Sequence, residues 1–154
     1  MDVDGTLTDG KIYISNSGDE MKSFNIKDGY AIKEILPRLN IIPVIITGRK
    51  SKIVEIRAKE LNIIEVYQGV ENKLGILEYL KEKYKISDNE IAFIGDDFND
   101  VDLFNRCYLT ACPADATRAI KDISKIVLAT KGGEGAVQEF ILRIYEEIKN
   151  ESYR

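Results

Sequence analysis

The sequence predicts an α/β protein, a three-layer α/β/α arrangement around a parallel central sheet. Short Val/Ile-rich runs alternate with segments of helical apolar spacing, as repeated βα units require. The runs are nearly continuous in apolar residues, which suits strands covered on both faces. Acidic or hydroxyl residues fall where several of these runs end, the edge at which open α/β sheets place their ligands.

The chain opens with Met1-Asp2-Val3-Asp4-Gly5-Thr6-Leu7-Thr8. A carboxylate at the end of a buried strand needs a strand before it. The first strand is therefore expected to be largely missing from the numbering, by trimming, by disorder or because the chain begins within a longer protein. Lys11 to Ser15 and Glu20 to Asn25 flank Asn16-Ser17-Gly18-Asp19 and predict a β-hairpin over about 11–25. Strands are expected at Ile41–Ile46, Ile64–Tyr67, Ile91–Ile94, Leu109–Ala111 and Lys125–Leu128. Helices are expected at Gly29–Leu39, Ser51–Leu61, Lys73–Tyr84, Val101–Asn105, Ala116–Ile120 and Ala136–Asn150. Pro37 should kink or end the first of them. With 154 residues, 44% of them hydrophobic, residues 1–154 read as a single domain with one well-buried core.

Composition removes several chemistries. The chain has no histidine, so acid/base work falls to carboxylates, lysine, tyrosine or metal-bound water rather than to a Ser-His-Asp or Cys-His pair. Cys107 and Cys112 match no zinc or Cys-x-x-Cys spacing and read as reduced thiols, which implies a cytoplasmic setting. A net charge of −4 without a basic stripe argues against nucleic acid. No apolar run reaches the roughly 18 residues of a membrane span.

Asp2 and Asp4 lie two residues apart where the chain leaves the sheet, with Gly5 allowing it to bend and bring both carboxyls toward one point. Such a pair can serve as nucleophile and proton shuttle, although Asp-Gly also marks ordinary surface turns. Ile91 to Ile94 leads into Gly95-Asp96-Asp97-Phe98-Asn99-Asp100, with Asp96 the expected metal ligand and Asp97 and Asp100 indirect ones. An EF-hand loop needs oxygen ligands at alternate positions, and Phe98 and Val101 interrupt that pattern, so a hard cation with few protein ligands, Mg²⁺, fits better. A phosphate dianion beside ionised Asp2 and Asp96 makes roughly four negative charges, which Mg²⁺ and one lysine reduce to about one when Asp4 is protonated. Lys73 is the candidate lysine. Thr47 and Gly48 precede a helix with Ser51 as its expected N-cap, a place where phosphate oxygens can be held, although a capped βα turn has the same appearance.

The ordered set Asp2-x-Asp4-Gly5-Thr6, Thr47-Gly48-Arg49, Lys73 and Gly95-Asp96-Asp97-x-x-Asp100 resembles the haloacid dehalogenase (HAD) superfamily of phosphotransferases, with its Rossmann-like fold. The resemblance implies nucleophile Asp2, acid/base Asp4, phosphate binders Thr47, Gly48 and Lys73, and Mg²⁺ held by Asp2, the Asp4 carbonyl and Asp96. Further segments, including Thr8-Asp9-Gly10, Phe24 to Gly29, Arg57 to Leu61, Tyr67 to Val70, Pro113 to Ala116 and Gly132-Gly133-Glu134-Gly135-Ala136-Val137, are similar to the capless 3-deoxy-D-manno-octulosonate 8-phosphate phosphatases and their sialic-acid-type relatives. That similarity implies an acidic sugar phosphate as substrate, no cap domain, and a homotetramer assembled through the hairpin in which neighbouring subunits help close each site. It also implies sugar contacts by Arg49, Gly133 and Glu134.

Arg49 resembles the octulosonate group, where a guanidinium can hold the sugar carboxylate with two parallel bonds. Glu134 resembles the nonulosonate 9-phosphate group, and Gln138 replaces an arginine common among these enzymes, so the octulosonate leads and the nonulosonate is the alternative. Two other classes compete. A phosphorylated receiver module shares the aspartate, hydroxyl and lysine but lacks a proton shuttle at the position of Asp4. A non-catalytic assembly domain of a sugar nucleotidyltransferase would not need the complete set.

Overall fold

The computed structural model describes residues 1–151. Its elements run β1 (Tyr13–Ile14), β2 (Glu20–Met21), α1 (Ile26–Tyr30), β3 (Val44–Thr47), α2 (Lys52–Glu60), β4 (Glu65–Gln68), α3 (Lys73–Tyr84), β5 (Ala92–Ile94), α4 (Val101–Arg106), β6 (Leu109–Cys112), α5 (Arg118–Ile123), β7 (Ile126–Val127) and α6 (Ala136–Glu151).

Alternation along the strands sets the layering. In β3, Ile45 enters one apolar cluster and Ile46 the other, and Ile94 and Phe93 of β5, then Ala111 and Cys112 of β6, divide in the same way. Successive strand residues point to opposite faces, so the sheet is covered on both. The α1 region, α2 and α6 close one face with Ile32, Leu36, Val54, Val137 and Phe140. On the other, α3, α4 and α5 contribute Leu77, Leu80, Leu103, Phe104 and Ile120. Each large apolar side chain enclosed in this way contributes about 1.5–3 kcal/mol.

The strands pair in parallel, β3 with β4 (Ile45 opposite Val66), β5 with β6 (Phe93 opposite Thr110) and β6 with β7 (Ala111 opposite Ile126). The opening residues join the two parts. Met1 donates its terminal N–H to the Val44 carbonyl at 2.8 Å and accepts from Ile46 N–H at 3.0 Å, and Asp2 N–H reaches the Ile94 carbonyl at 3.0 Å. Bonds to the residues on either side of Ile45 are the parallel pattern, so Met1 and Asp2 occupy the central place between β3 and β5. The carboxyl ends of β3, the opening segment and β5 consequently share one edge.

Several boundaries differ from the sequence expectation. The first helix begins at Ile26 rather than Gly29, because the Asn25 side chain accepts the Lys27 N–H at 2.9 Å and caps it. It widens into a π turn at Ala31–Ile35, tightens into a 3₁₀ turn at Leu36–Leu39 containing Pro37, and stops at Asn40 in the left-handed region with φ of 54°. The hairpin pairs only Tyr13 with Met21 and Ile14 with Glu20. Beyond Met21 the chain turns inward, where Lys22 meets Asp4 and Phe24 packs on the core beneath the Arg57 guanidinium. The fifth helix starts at Arg118 rather than Ala116, with Thr117 at its N-cap.

Candidate active site

The opening segment turns sharply after Val3, whose carbonyl accepts N–H groups from Thr6, Leu7 and Thr8 at 3.2, 2.9 and 3.0 Å. Gly5 makes this possible. Its φ is +94°, and a Cβ there would lie 2.0 Å from Asp96 Oδ2. The close passage of backbone against carboxylate brings Thr6 Oγ1 within 3.1 Å of Asp96 Oδ1.

Lys73, the first residue of α3, is enclosed and extends its ammonium between two carboxylates, 2.7 Å from Asp2 Oδ1 and 2.6 Å from Asp100 Oδ1. The second oxygen of Asp100 accepts the Asp96 N–H at 3.0 Å. Both oxygens of this fully buried residue are thereby engaged, and it links the lysine to the loop after β5. Carboxylate oxygens of Asp2, Asp96 and Asp100 lie within 4.8 Å of one another.

One ammonium does not balance three acids. Burial, only partly offset by Lys73 and reinforced by Asp100, raises the Asp2 carboxyl to about 6. Burial together with Asp2 and Asp100 raises Asp96 to about 8. Burial opposes the charge on Lys73, but Asp2 and Asp100 outweigh it and hold the ammonium above the ordinary lysine range. A set of hard oxygen donors crowded until its protons are retained is the chemistry of a divalent-cation site, and Mg²⁺ suits oxygen ligands of this kind.

The other candidates sit around this centre. Thr47 ends β3 and is buried, whereas Gly48 and Arg49 follow it on the exposed rim. Ser51 caps α2 through the Ile53 N–H at 3.2 Å. Arg49 lies 3.1 Å from Glu20 of the hairpin. The glycine loop packs directly on the opening turn, since a Cβ on Gly132 would lie 1.9 Å from the Gly5 carbonyl oxygen. Gly133 donates its N–H to the Thr6 carbonyl at 3.1 Å, and its own carbonyl faces Asn25 Nδ2 at 3.4 Å. Glu134 is exposed, with its N–H on the Lys131 carbonyl at 3.1 Å.

Two expectations require correction. Asp97 turns away from the carboxylate group and is exposed, its side chain accepting the Phe98 N–H at 2.8 Å as the cap of the next turn. The Asp4 carboxylate also stays outside the group and pairs with the ammonium of Lys22. Lys22 and Glu20 were absent from the sequence reading. Period-two alternation in β2 is the signal that could have found them, because it aims residues 20 and 22 to one side and Met21 to the other.

A family model described as haloacid dehalogenase-like hydrolase matches residues 45–141. The 3-deoxy-D-manno-octulosonate 8-phosphate phosphatase of Salmonella typhi is 43% identical over 139 residues, spanning 90% of this chain and 73% of the relative. The chain belongs to the haloacid dehalogenase-like hydrolases. Among solved members, the Yersinia pestis octulosonate phosphatase superposes with a TM-score of 0.88 at 39% identity, over 91% of this chain and 75% of that one. A Moraxella catarrhalis octulosonate phosphatase in complex with magnesium ion, phosphate ion and KDO superposes with a TM-score of 0.91 at 33% identity, over 100% of this chain and 91% of that one. The enclosed Asp–Lys–Asp arrangement with Asp96 beside it, at the carboxyl edge of the sheet, leaves an excess of negative charge that a divalent cation would balance.

Proposed function

We propose that this chain is a Mg²⁺-dependent phosphatase acting on 3-deoxy-D-manno-octulosonate 8-phosphate through an aspartyl-phosphate on Asp2. The observation that carries the reading is the enclosed Lys73 ammonium on Asp2 beside Asp96, a carboxylate held ready and short of positive charge. The named substrate of the relatives supports the choice of sugar.

Asp2 attacks phosphorus while Lys73 holds the nucleophile and meets one phosphoryl oxygen. Asp4 gives a proton to the departing sugar oxygen and then takes one from the water that attacks the aspartyl-phosphate. Thr47 and the backbone from Gly48 hold the remaining phosphoryl oxygens, and Arg49 and the Gly133–Glu134 loop meet the sugar acid. Asp2, Asp96 and the Asp4 carbonyl would hold the cation. When bound, Mg²⁺ supplies the countercharge that lets a dianion approach ionised Asp2. Spontaneous hydrolysis of such esters is slow enough that enhancements reach ~10²¹, and fixed charges around the phosphoryl group supply most of that effect.

In this reading the protein acts in the cytoplasm as a homotetramer. The exposed Ile12, Ile14 and Met21 of the hairpin region form its assembly surface. Among the described residues no helix is long and apolar enough to cross a membrane.

The test compares phosphate release from octulosonate 8-phosphate and nonulosonate 9-phosphates at saturating Mg²⁺. The octulosonate should have the higher kcat/KM. Preference for a nine-carbon acid would move the assignment to the sialic-acid-type group, and release of a single equivalent would contradict hydrolysis of the aspartyl-phosphate by this chain.

A further inference from the structure

Lysine side chains ordinarily extend into solvent, since enclosing one fixes several rotamers and strips water from the ammonium. The Lys22 side chain is only 2% exposed and pairs with Asp4, while Glu20 lies 3.2 Å away on its other side. Glu20 in turn stands 3.1 Å from Arg49. An ionic chain thus runs from Asp4 through Lys22 and Glu20 to Arg49, with its two middle members supplied by β2 and the residue after it.

We propose that Lys22 is a positioning residue for Asp4, and that Glu20 ties this support to Arg49, so that the hairpin strand sets the acid/base carboxyl relative to the sugar site. The proposal rests on the reading of Asp4 as the proton shuttle. Asp4 lies on the loop after the opening segment and is 24% exposed, so the opening turn alone leaves its side chain free to rotate. A general acid works only within hydrogen-bond reach of the oxygen it protonates, about 2.6–3.2 Å. Lys22 contacts Oδ1 and leaves Oδ2 for the proton. A neutral side chain at position 22 removes that anchor without touching Asp2, Lys73 or Asp96, so phosphate binding and turnover should separate.

The experiment uses the full chain and its Lys22→Met, Lys22→Arg, Glu20→Gln and Asp4→Asn variants, plus the Lys22→Met/Asp4→Asn double variant. Each is assayed for kcat and KM on octulosonate 8-phosphate and for the Kd of inorganic phosphate with Mg²⁺. Lys22→Met should lower kcat by roughly 10- to 100-fold with phosphate Kd changed less than about 2-fold, and Lys22→Arg should recover most of the loss. Glu20→Gln should have a smaller effect, and adding Lys22→Met to Asp4→Asn should cost little more. Additive losses, or equal losses in kcat and phosphate affinity, would overturn the proposal. If Lys22→Met unfolds, Lys22→Arg and Glu20→Gln decide it: unchanged kcat in Glu20→Gln together with loss of phosphate affinity in Lys22→Arg counts against it. Full activity in Asp4→Asn would instead remove Asp4 from the mechanism, a failure of the functional reading visible before Lys22 is considered.

Discussion

Glu65 and Asp2 are both carboxylates enclosed by the protein, 5% and 4% exposed, at opposite ends of neighbouring parts of the sheet. Glu65 begins β4 and is fully served. It accepts from Tyr67 at 2.6 Å and also bonds Lys83 and Tyr84, and those bonds, led by Lys83, hold its carboxyl down at about 2. Asp2 follows the opening segment at the other edge, shares one lysine with Asp100, faces Asp96, and is pushed up to about 6. Similar solvent exposure accompanies a structural acid in one place and an under-compensated one in the other. Burial leads the upward shift of Asp2, whereas at Glu65 three side-chain hydrogen bonds outweigh it, so a raised acid beside unmatched neighbours marks the place where charge is to be received.

The largest break in that comparison is Asp2→Asn. Phosphate release should fall by at least ~10³-fold, while thermal unfolding shows a retained fold because Lys73 keeps its bond to Asp100. Substantial remaining turnover would remove Asp2 as the nucleophile. Glu65→Gln should do the reverse, costing about 1–3 kcal/mol in denaturant unfolding with kcat unchanged within about 2-fold.

The two clusters also predict opposite slopes with pH. A depressed acid contributes stability above its unfolded pKa, so the Glu65 contribution is complete above 4.5 and is lost as pH falls toward about 2. A raised acid is costly when ionised. In metal-free protein the cost at Asp96 is therefore full above about 8 and relieved toward 3.8, and those at Asp2 and Asp28 are relieved from about 6 downward. Without metal, the melting temperature should rise as pH falls from about 8 to 5 and drop below about 4.5, and Mg²⁺ should flatten the upper limb. An upper limb unaffected by Mg²⁺ would detach the acidic group from cation binding. The smallest effect is Tyr67→Phe, which removes one donor from Glu65 and should cost about 0.5–1.5 kcal/mol without altering turnover.

Much of the architecture was legible because local signals agreed with the fold. The helix over Lys73–Tyr84 has the expected limits, Ser51 caps α2 as its position before an apolar-periodic segment implies, and the Val/Ile runs became parallel strands. Where the reading slipped, a tertiary contact decided the outcome. Asn25 extended the first helix by capping it, and Lys22 and Phe24 shortened the hairpin by turning inward. Motif order indicated which carboxylates to watch, but their division of labour depends on distances between residues 2, 73, 96 and 100, which no local pattern contains. Asp97 and Asp100 look equivalent in sequence, yet one caps an exposed turn and the other is buried against Lys73.

The most direct measurement of the central claim is the steady-state release of phosphate from octulosonate 8-phosphate as Mg²⁺ is added to chelator-treated protein, for the native sequence and for Asp2→Asn. Multiple turnovers that require Mg²⁺ in the native protein and vanish in the variant are the result expected of an Asp2–Asp96 site completed by a cation. Release at the same rate without Mg²⁺, or in the absence of the Asp2 carboxylate, would contradict it.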